Sequence, residues 1–523
     1  MNTNRNDFPW GPWTSDQGDG TFVNPVLYAD YSDPDVIRVG EDFYMTASSF
    51  GHIPGLPILH SKDLVNWRLI NHALPRMPFA GYDSPQHGNG VWAPSLRYHD
   101  NKFWIFYGDP DIGILMLTAE DPAGRWSELH LVHKGKGLID TCPFWDDDGK
   151  AYLVHAYAHS RSGIKHRLRI CGMSPDGKSL LDEGISIIDD PIQHNTIEGP
   201  KMYKRNGYYY VFAPAGGVEE GWQTVLRSSK PCGPYESRIV LKQGETSVNG
   251  PHQGGWVELE SGESWFMHFQ HKDAYGRIVH LQPVTWVEDW PHIGENVGED
   301  GSGEPVAGFR KPATGATVPL EAPSASDTFI EEQLGLQWQW QANPEASWYS
   351  LNERPGYLRL FALPVNIKPT NTLFQTPQLL LQKFPAPAFA ASTRLEPANL
   401  QSGSRAGLMV FGYSYAALVC IREEEEAGGW RLQLVEGNAE TEQVVWEQRA
   451  GSQSVILQVD VEPGGQCSFR FSLDGEQFES IDRPRFQAVV SKWVGAKVGL
   501  FATSTEQPGG YADFGWFKVA GLS

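Results

Sequence analysis

One pattern recurs five times in the first 300 residues and limits what the chain can become. It reads as a polar or small residue, an apolar strand, a short Gly/Asp/Asn turn, and an aromatic-rich strand. The copies are DPDVIRVGEDFYMTAS from Asp33, APSLRYHDNKFWIFYG from Ala93, DTCPFWDDDGKAYLVHA from Asp140, EGPKMYKRNGYYYVFAP from Glu198 and HQGGWVELESGESWFMHF from His252. The turns GED, HDNK, DDDGK and RNG are hairpin chemistry, because Gly, Asn and Asp accept the left-handed backbone that tight turns require. Each hairpin is followed by another strand-like run, so a unit holds about four short strands. Units start roughly every 55 residues, a spacing that matches β-propeller blades lengthened by loops. The prediction is an all-β chain opening with a five-bladed propeller over residues 1–300.

Residues 301–325 are rich in Gly, Pro, Ser and Ala, without periodicity, and read as a linker. From 326 to 523 the blade pattern gives way to short alternating strands such as AGLMVFG, SVILQVDV and KVGLFATS, which predict a β-sandwich. At 523 residues, two domains are expected on size alone.

Composition excludes several partners. A net charge of −21, from 42 Lys and Arg against 63 Asp and Glu, disfavours nucleic acid and anionic membranes. No apolar run is long enough to span a bilayer. The N-terminus lacks the basic start and apolar stretch of a secretory signal, so a cytoplasmic protein is expected, or a secreted one if numbering begins after processing. Five scattered cysteines without a CxxC pair argue against a disulfide framework or a zinc site. Nineteen Trp and nineteen Tyr suit the faces of sugars, although buried sheets use aromatics as well.

In a propeller the innermost strand of each blade lines the central channel. Asp33, Asp140, Glu198 and His252 each precede such a strand, with Ala93 in the remaining blade, so the repeat is expected to gather them at one mouth. A lone Asp before a strand is most often a turn or cap. Three acids at matching blade positions weaken that reading, and Glu198 is a poor turn former. The DDDG run at 146–149 remains a hairpin turn. Three gathered carboxylic acids suit glycosidic bond cleavage: one protonated acid for the leaving oxygen, one carboxylate to deprotonate water, and a third to hold up the donor's pKa.

These motifs, in this order, resemble glycoside hydrolase family 43, the β-xylosidases and α-L-arabinofuranosidases. The likeness runs from NPVLYADYSDPDVIRVGEDFYM through FGHIPGLPILHSKDLVNW, GVWAPSLRY, IDTCPFWDDDGKAYLVHA, IEGPKMYKRNGYYYVFAPAGG and GPHQGGWVE to YGRIVHLQPVTW. It covers essentially the whole first domain, and the second resembles the concanavalin-like sandwich of one family branch. The resemblance implies Asp33 as general base, Glu198 as general acid, and Asp140 as the aspartate that orients that acid and raises its pKa. It implies Arg277 as a hydrogen-bond donor to sugar hydroxyls and Phe50 and Trp92 as walls of the sugar pocket. His252 is implied as a histidine on the channel axis that holds a calcium ion. No organic cofactor is implied.

Two departures stand out. Asp140 is followed by Thr-Cys-Pro where many relatives have a proline and then a small residue. A phenylalanine that closes the pocket in the β-xylosidase branch corresponds to the stretch WVGAKVG, with Lys497 expected at that place. The expected reaction is inverting, exo-acting release of terminal α-L-arabinofuranosyl or β-D-xylosyl residues from xylan or arabinoxylan oligosaccharides. The acid and base should stand about 6.5–9.5 Å apart. A strict single-linkage enzyme is the nearest alternative. A retaining fructosidase lacks its NDPNG-like start here, and a non-catalytic sugar-binding propeller would be expected to have lost an acid.

Overall fold

The computed structural model describes residues 11–364, 372–422, 429–451, 453–505 and 507–522. It is all-β, apart from one four-residue helix, His159–Ser162, and two short 3-10 turns. Five four-stranded antiparallel sheets, each built from one continuous segment, form the blades. They start with the strands Asp35–Val39, Trp92–His99, Leu138–Trp145, Lys201–Arg205 and His252–Glu258.

The blades are held face to face by apolar layers. Between the first and second blades lie Leu56, Ile58, Leu96 and Ile105. Trp104 and Phe106 meet Leu153 and Met173 between the second and third. Val154 and Ile170 meet Val211 and Leu226 between the third and fourth, and Tyr210 and Phe212 meet Phe266 and Trp290 between the fourth and fifth. The last layer joins Phe43, Met45 and Trp67 to Val257, Trp265 and Met267, so packing closes the ring without exchange of a strand. Burying each such side chain stabilises the ring by about 1.5–3 kcal/mol. This is why the strand pattern is nearly continuous in apolar residues: both faces of each blade are covered.

Residues after the fifth blade run back over the propeller. Gly308–Arg310 pairs with Thr21–Val23, and Lys311 bridges Asp16 and Asp63 at 2.6 and 2.7 Å. Two eight-stranded antiparallel-rich sheets then form the sandwich. In Phe389–Glu396 every second residue is buried, as expected for one face on the core and one on solvent.

The sandwich docks through backbone as well as side chains. Ile53 and Trp340 exchange N–H···O bonds of 2.9 and 2.6 Å, and the Ala496 N–H donates to Ala274 O at 2.7 Å. Tyr275 of the propeller is part of the sandwich core itself. This contact brings the loop after Val490 over the channel mouth. No helix among the described residues is long and apolar enough to cross a membrane.

Candidate active site

The five inner strands begin with the same backbone device. Asp33, Ala93, Asp140, Gly199 and Gln253 all have positive φ, at 55, 37, 56, 58 and 41°. The first four lie two residues before the first regularly paired position, namely Asp35, Ser95, Cys142 and Lys201, and Gln253 lies one residue before Gly254. The sequence alignment of the acids is therefore corrected by one residue in two blades: Asp33 and Asp140 correspond to Gly199 and Gln253, while Glu198 and His252 stand one place earlier. A left-handed residue costs about 1–2 kcal/mol unless it is glycine. In the fourth blade glycine is also demanded by space, because a Cβ on Gly199 would come within 2.6 Å of the Gln253 side chain.

Asp33 is gripped by three donors. The hydroxyls of Ser32 and Ser48 both donate to Oδ2 at 2.6 Å, and Arg277 Nη1 lies 3.1 Å from Oδ1 and 3.2 Å from Oδ2. Ser48 is fixed in turn by accepting the Ala93 N–H at 2.7 Å, so two blades hold this carboxylate. Arg277 Nη1 also donates to Ser32 Oγ at 2.6 Å. Its guanidinium packs over Phe269 and beside Trp493, at 4.9 and 5.9 Å from the ring centroids. Nη2 makes no hydrogen bond to the described residues, which leaves it free to donate into the pocket.

Asp140 accepts the Gly199 N–H at 2.8 Å and so ties down the peptide that follows Glu198. Both carboxyl groups are held above the ordinary carboxylate range. Burial is the largest cause for each; for Asp140 the Asp33 charge adds to it, against the Gly199 N–H, Lys201 and Arg277, and for Glu198 the charges of Asp140 and Asp33 add to it, against Arg277 and Lys165. Like charges that close in a dry site cannot all ionise together. An acid kept protonated near neutral pH can give a proton to a leaving oxygen.

The pocket, with its open mouth, spans about 480 Å³ and is walled by Phe50, Trp92, Ile139, Val218, Gln253 and Trp493 around Asp33, Asp140, Glu198 and Arg277. Phe50 and Trp92 meet edge-to-face at 6.2 Å, and Trp92 meets Trp493 at 5.9 Å. Phe50 is itself left-handed, with φ 50°, and is held by N–H···O bonds of 3.1 and 3.2 Å to Val91. Beneath the acids the channel is filled. Lys201 is wholly buried, its Nζ donating to Pro94 O at 2.9 Å and Ser95 Oγ at 2.8 Å, and lying 3.8 Å from Asp35. Asp35 also binds Arg97 at 2.7 Å, and Arg97 donates to Cys142 Sγ at 2.9 Å. The unusual Thr-Cys step after Asp140 thus belongs to this floor.

Lys497 is not at the pocket. It is buried at the start of the strand Lys497–Ser504, whereas Trp493, four residues earlier, projects into the site. The turn between them brings the loop's tip, and not the strand's first residue, over the mouth.

The implied calcium ion can be tested against the donors around His252. The imidazole is fully buried, burial and then Arg277 push its pKa down to about 3, and neither nitrogen has a hydrogen-bond partner. Glu198 Oε1 lies 3.5 Å from Nε2. Calcium takes six to eight oxygen ligands. Among the described residues no three His, Cys, Asp or Glu side chains gather in a metal-binding group. The oxygen ligands that a calcium ion needs are therefore not gathered around His252 by carboxylates of the described residues.

Residues 22–291 match the family model for glycosyl hydrolases family 43, and residues 326–520 match that for the beta-xylosidase C-terminal concanavalin A-like domain. The chain belongs to glycoside hydrolase family 43. This family 43 enzyme is 40% identical over 498 residues to a protein named putative beta-xylosidase from Xylanibacter ruminicola, covering 94% of this chain and 88% of that one. It is 30% identical to a non-reducing end alpha-L-arabinofuranosidase of Bacteroides ovatus, over 95% and 94% of the two chains. The solved xylan beta-1,4-xylosidase of Bacillus halodurans superposes with a TM-score of 0.84 at 26% identity, over 95% and 99%.

Sequence reasoning missed four parts of the enzyme's site. Ser32 and Ser48 flank the first blade's opening strand and hairpin, where a serine carries no periodic signal. Lys201 looks like one more polar residue in KMYKR, yet its place two residues past a left-handed glycine turns it onto the channel axis. Trp493 had a legible cue: a large aromatic in the polar turn SKWVG, where no sheet face requires one.

Proposed function

We propose that the enzyme releases single terminal pentoses, α-L-arabinofuranosyl or β-D-xylosyl, from xylan or arabinoxylan oligosaccharides with inversion of configuration. The observation that carries this reading is the convergence of Asp33, Asp140, Glu198 and Arg277 in one small pocket with a filled floor and an aromatic wall supplied by the second domain. Such a pocket takes a chain end, not a chain middle. Glu198 protonates the glycosidic oxygen as the C–O bond breaks. Asp33 accepts a proton from water attacking the anomeric carbon on the opposite face. Asp140 holds the Glu198 segment through Gly199 and, by its proximity, keeps the proton on the acid. Arg277 Nη2 donates to a sugar hydroxyl. The relatives' names span both pentoses, in support of dual specificity. Rates on p-nitrophenyl β-D-xyloside and α-L-arabinofuranoside, measured side by side with NMR of the first-formed anomer, test the proposal. A retained configuration sinks inversion, and a rate on one glycoside alone sinks dual action.

Asp140→Asn should reduce kcat/KM by about 100-fold, within the usual reach of proton-transfer catalysis. It also has a directional signature. Glu198 must be protonated to act, so activity falls as pH rises through its pKa. Removing the neighbouring like charge lowers that pKa, and the alkaline limb of the kcat/KM profile should move to lower pH. An alkaline limb that stays in place would leave Asp140 with no part in tuning the acid.

Trp493→Ala opens the wall opposite Phe50. It should raise KM for xylobiose about tenfold, in line with about 1–1.5 kcal/mol for one aromatic contact. The loss for a small aryl glycoside should match only if Trp493 touches the terminal sugar; a loss confined to xylobiose places it on the leaving-group side.

A further inference from the structure

Two side chains on the wall of the pocket bury polar atoms that no described residue satisfies, Arg277 Nε and Gln253 Nε2. Arg277 has a task beside Asp33, whereas Gln253 has none so far. The Gln253 side chain is 2% exposed, and its carboxamide makes no hydrogen bond to a described residue. A polar group shut away from protein partners is costly, so its presence on a pocket wall points to a partner that the pocket receives.

Position makes the case specific. Gln253 is the fifth blade's member of the ring of left-handed residues that Asp33, Ala93, Asp140 and Gly199 supply from the other four. Two of those four carry carboxylates of the site, and the other two, alanine and glycine, carry no polar side chain. The fifth blade packs between the fourth and the first, so Gln253 joins the ring between Gly199 and Asp33. Its side chain lies against Gly199, where a Cβ would come within 2.6 Å of Gln253 Cδ and 3.0 Å of Nε2. The amide therefore stands beside the peptide that carries Glu198. Strained backbone at a non-glycine residue persists where the surroundings hold its side chain to one place, as active sites do.

Covering Gly199 does not explain the choice of residue, because methionine would fill the same space without a buried amide. What glutamine adds is a donor and an acceptor on one planar end. Its last torsion is broad and twofold, so either of them can be turned to the pocket. A sugar hydroxyl both donates and accepts, and so fits whichever end it meets. We propose that Gln253 is a substrate-binding residue, whose carboxamide hydrogen-bonds one hydroxyl of the terminal pentose beside Asp33 and Glu198. The assignment rests on the reading of this pocket as a pentosidase site. Together with Arg277 Nη2, it lets the fifth blade read two hydroxyls of one sugar.

Gln253→Met tests the contact in the full chain. Wild type and variant are assayed on the aryl pentoside that wild type hydrolyses and on its monodeoxy analogues, each lacking a different hydroxyl. Comparing the two enzymes on each analogue cancels that analogue's intrinsic reactivity. On the parent glycoside the variant should lose about tenfold in kcat/KM, the worth of one hydrogen bond. On the analogue that lacks the bonded hydroxyl the two enzymes should agree within about twofold, while the remaining analogues keep the full loss. The Tm of the variant should not fall below that of wild type, since methionine keeps the packing and removes the unpaired amide. Should Gln253→Met fail to fold, Gln253→Asn takes its place: asparagine tolerates the left-handed backbone but draws the amide back by one carbon, and the same pattern is expected. No loss on the parent glycoside, or an equal loss on every analogue as a displaced Glu198 would give, overturns the assignment. If wild type itself hydrolyses neither a β-D-xyloside nor an α-L-arabinofuranoside, the reading of the pocket falls and the assignment with it.

Discussion

Glu198→Gln is expected to lower kcat/KM on xylobiose by about 10⁴-fold, yet on an aryl glycoside with a good leaving group by only about 10–100-fold. The difference follows from what the side chain supplies. A sugar alkoxide is a poor leaving group and needs a full proton as the bond breaks, whereas a nitrophenolate departs with little help. Glutamine keeps the size and the hydrogen-bonding carbonyl but has no acidic proton. The pH profile should change in the same variant. Glu198 is held above the usual carboxylate range by burial first and by Asp140 next, so wild type should lose activity on the alkaline side as this proton departs. In Glu198→Gln that limb should vanish and leave a flat plateau. Equal losses on both substrates, with the limb intact, would assign the proton to another group.

The acids were legible in the sequence because a repeat converts distance along the chain into proximity. Their exact blade positions were not. Hydrophobic alternation fixes which face of a strand is buried, but it is blind to an extra residue before the first paired position. The ladder slips between Trp92 and Ser95, between Ile139 and Cys142, and between His252 and Gly254. The step that does mark the register is a left-handed residue followed by proline: Asp33-Pro34, Ala93-Pro94 and Gly199-Pro200. Aligned on that step, Glu198 falls one place early, so its carboxylate leaves the backbone on a different bearing from that of Asp33. This one-residue offset sets the proposed acid and base, Glu198 and Asp33, apart by geometry, while burial first and Asp140 next raise the pKa of Glu198. Trp493 and Lys497 expose a different limit. Which residue of the sandwich reaches the pocket depends on how two domains dock, through contacts such as Gly495 N–H to Asp30 that have no periodicity to read.

Asp33→Asn should cost about 10³–10⁴-fold in kcat/KM on every substrate, whatever its leaving group, because water activation is common to all. The surroundings of this carboxylate sharpen the expectation. Three donors, the Ser32 and Ser48 hydroxyls and Arg277 Nη1, point at Oδ2. An asparagine must therefore keep its carbonyl there and place its NH2 where Oδ1 now meets Arg277 Nη1, its one partner among the described residues, so that single contact is lost. The amide cannot take a proton from water, so the fold survives while the base is lost. Far-UV circular dichroism and Tm should stay close to wild type. Azide has no proton to lose and needs no base, so it should restore turnover on an activated aryl glycoside. The glycosyl azide formed should have the anomeric configuration opposite to that of the substrate, since it enters from the Asp33 face. An azide adduct of retained configuration would require a prior displacement by another group and would remove Asp33 from the attacking face, while the anomer first formed by wild type separates a base from a nucleophile at this position.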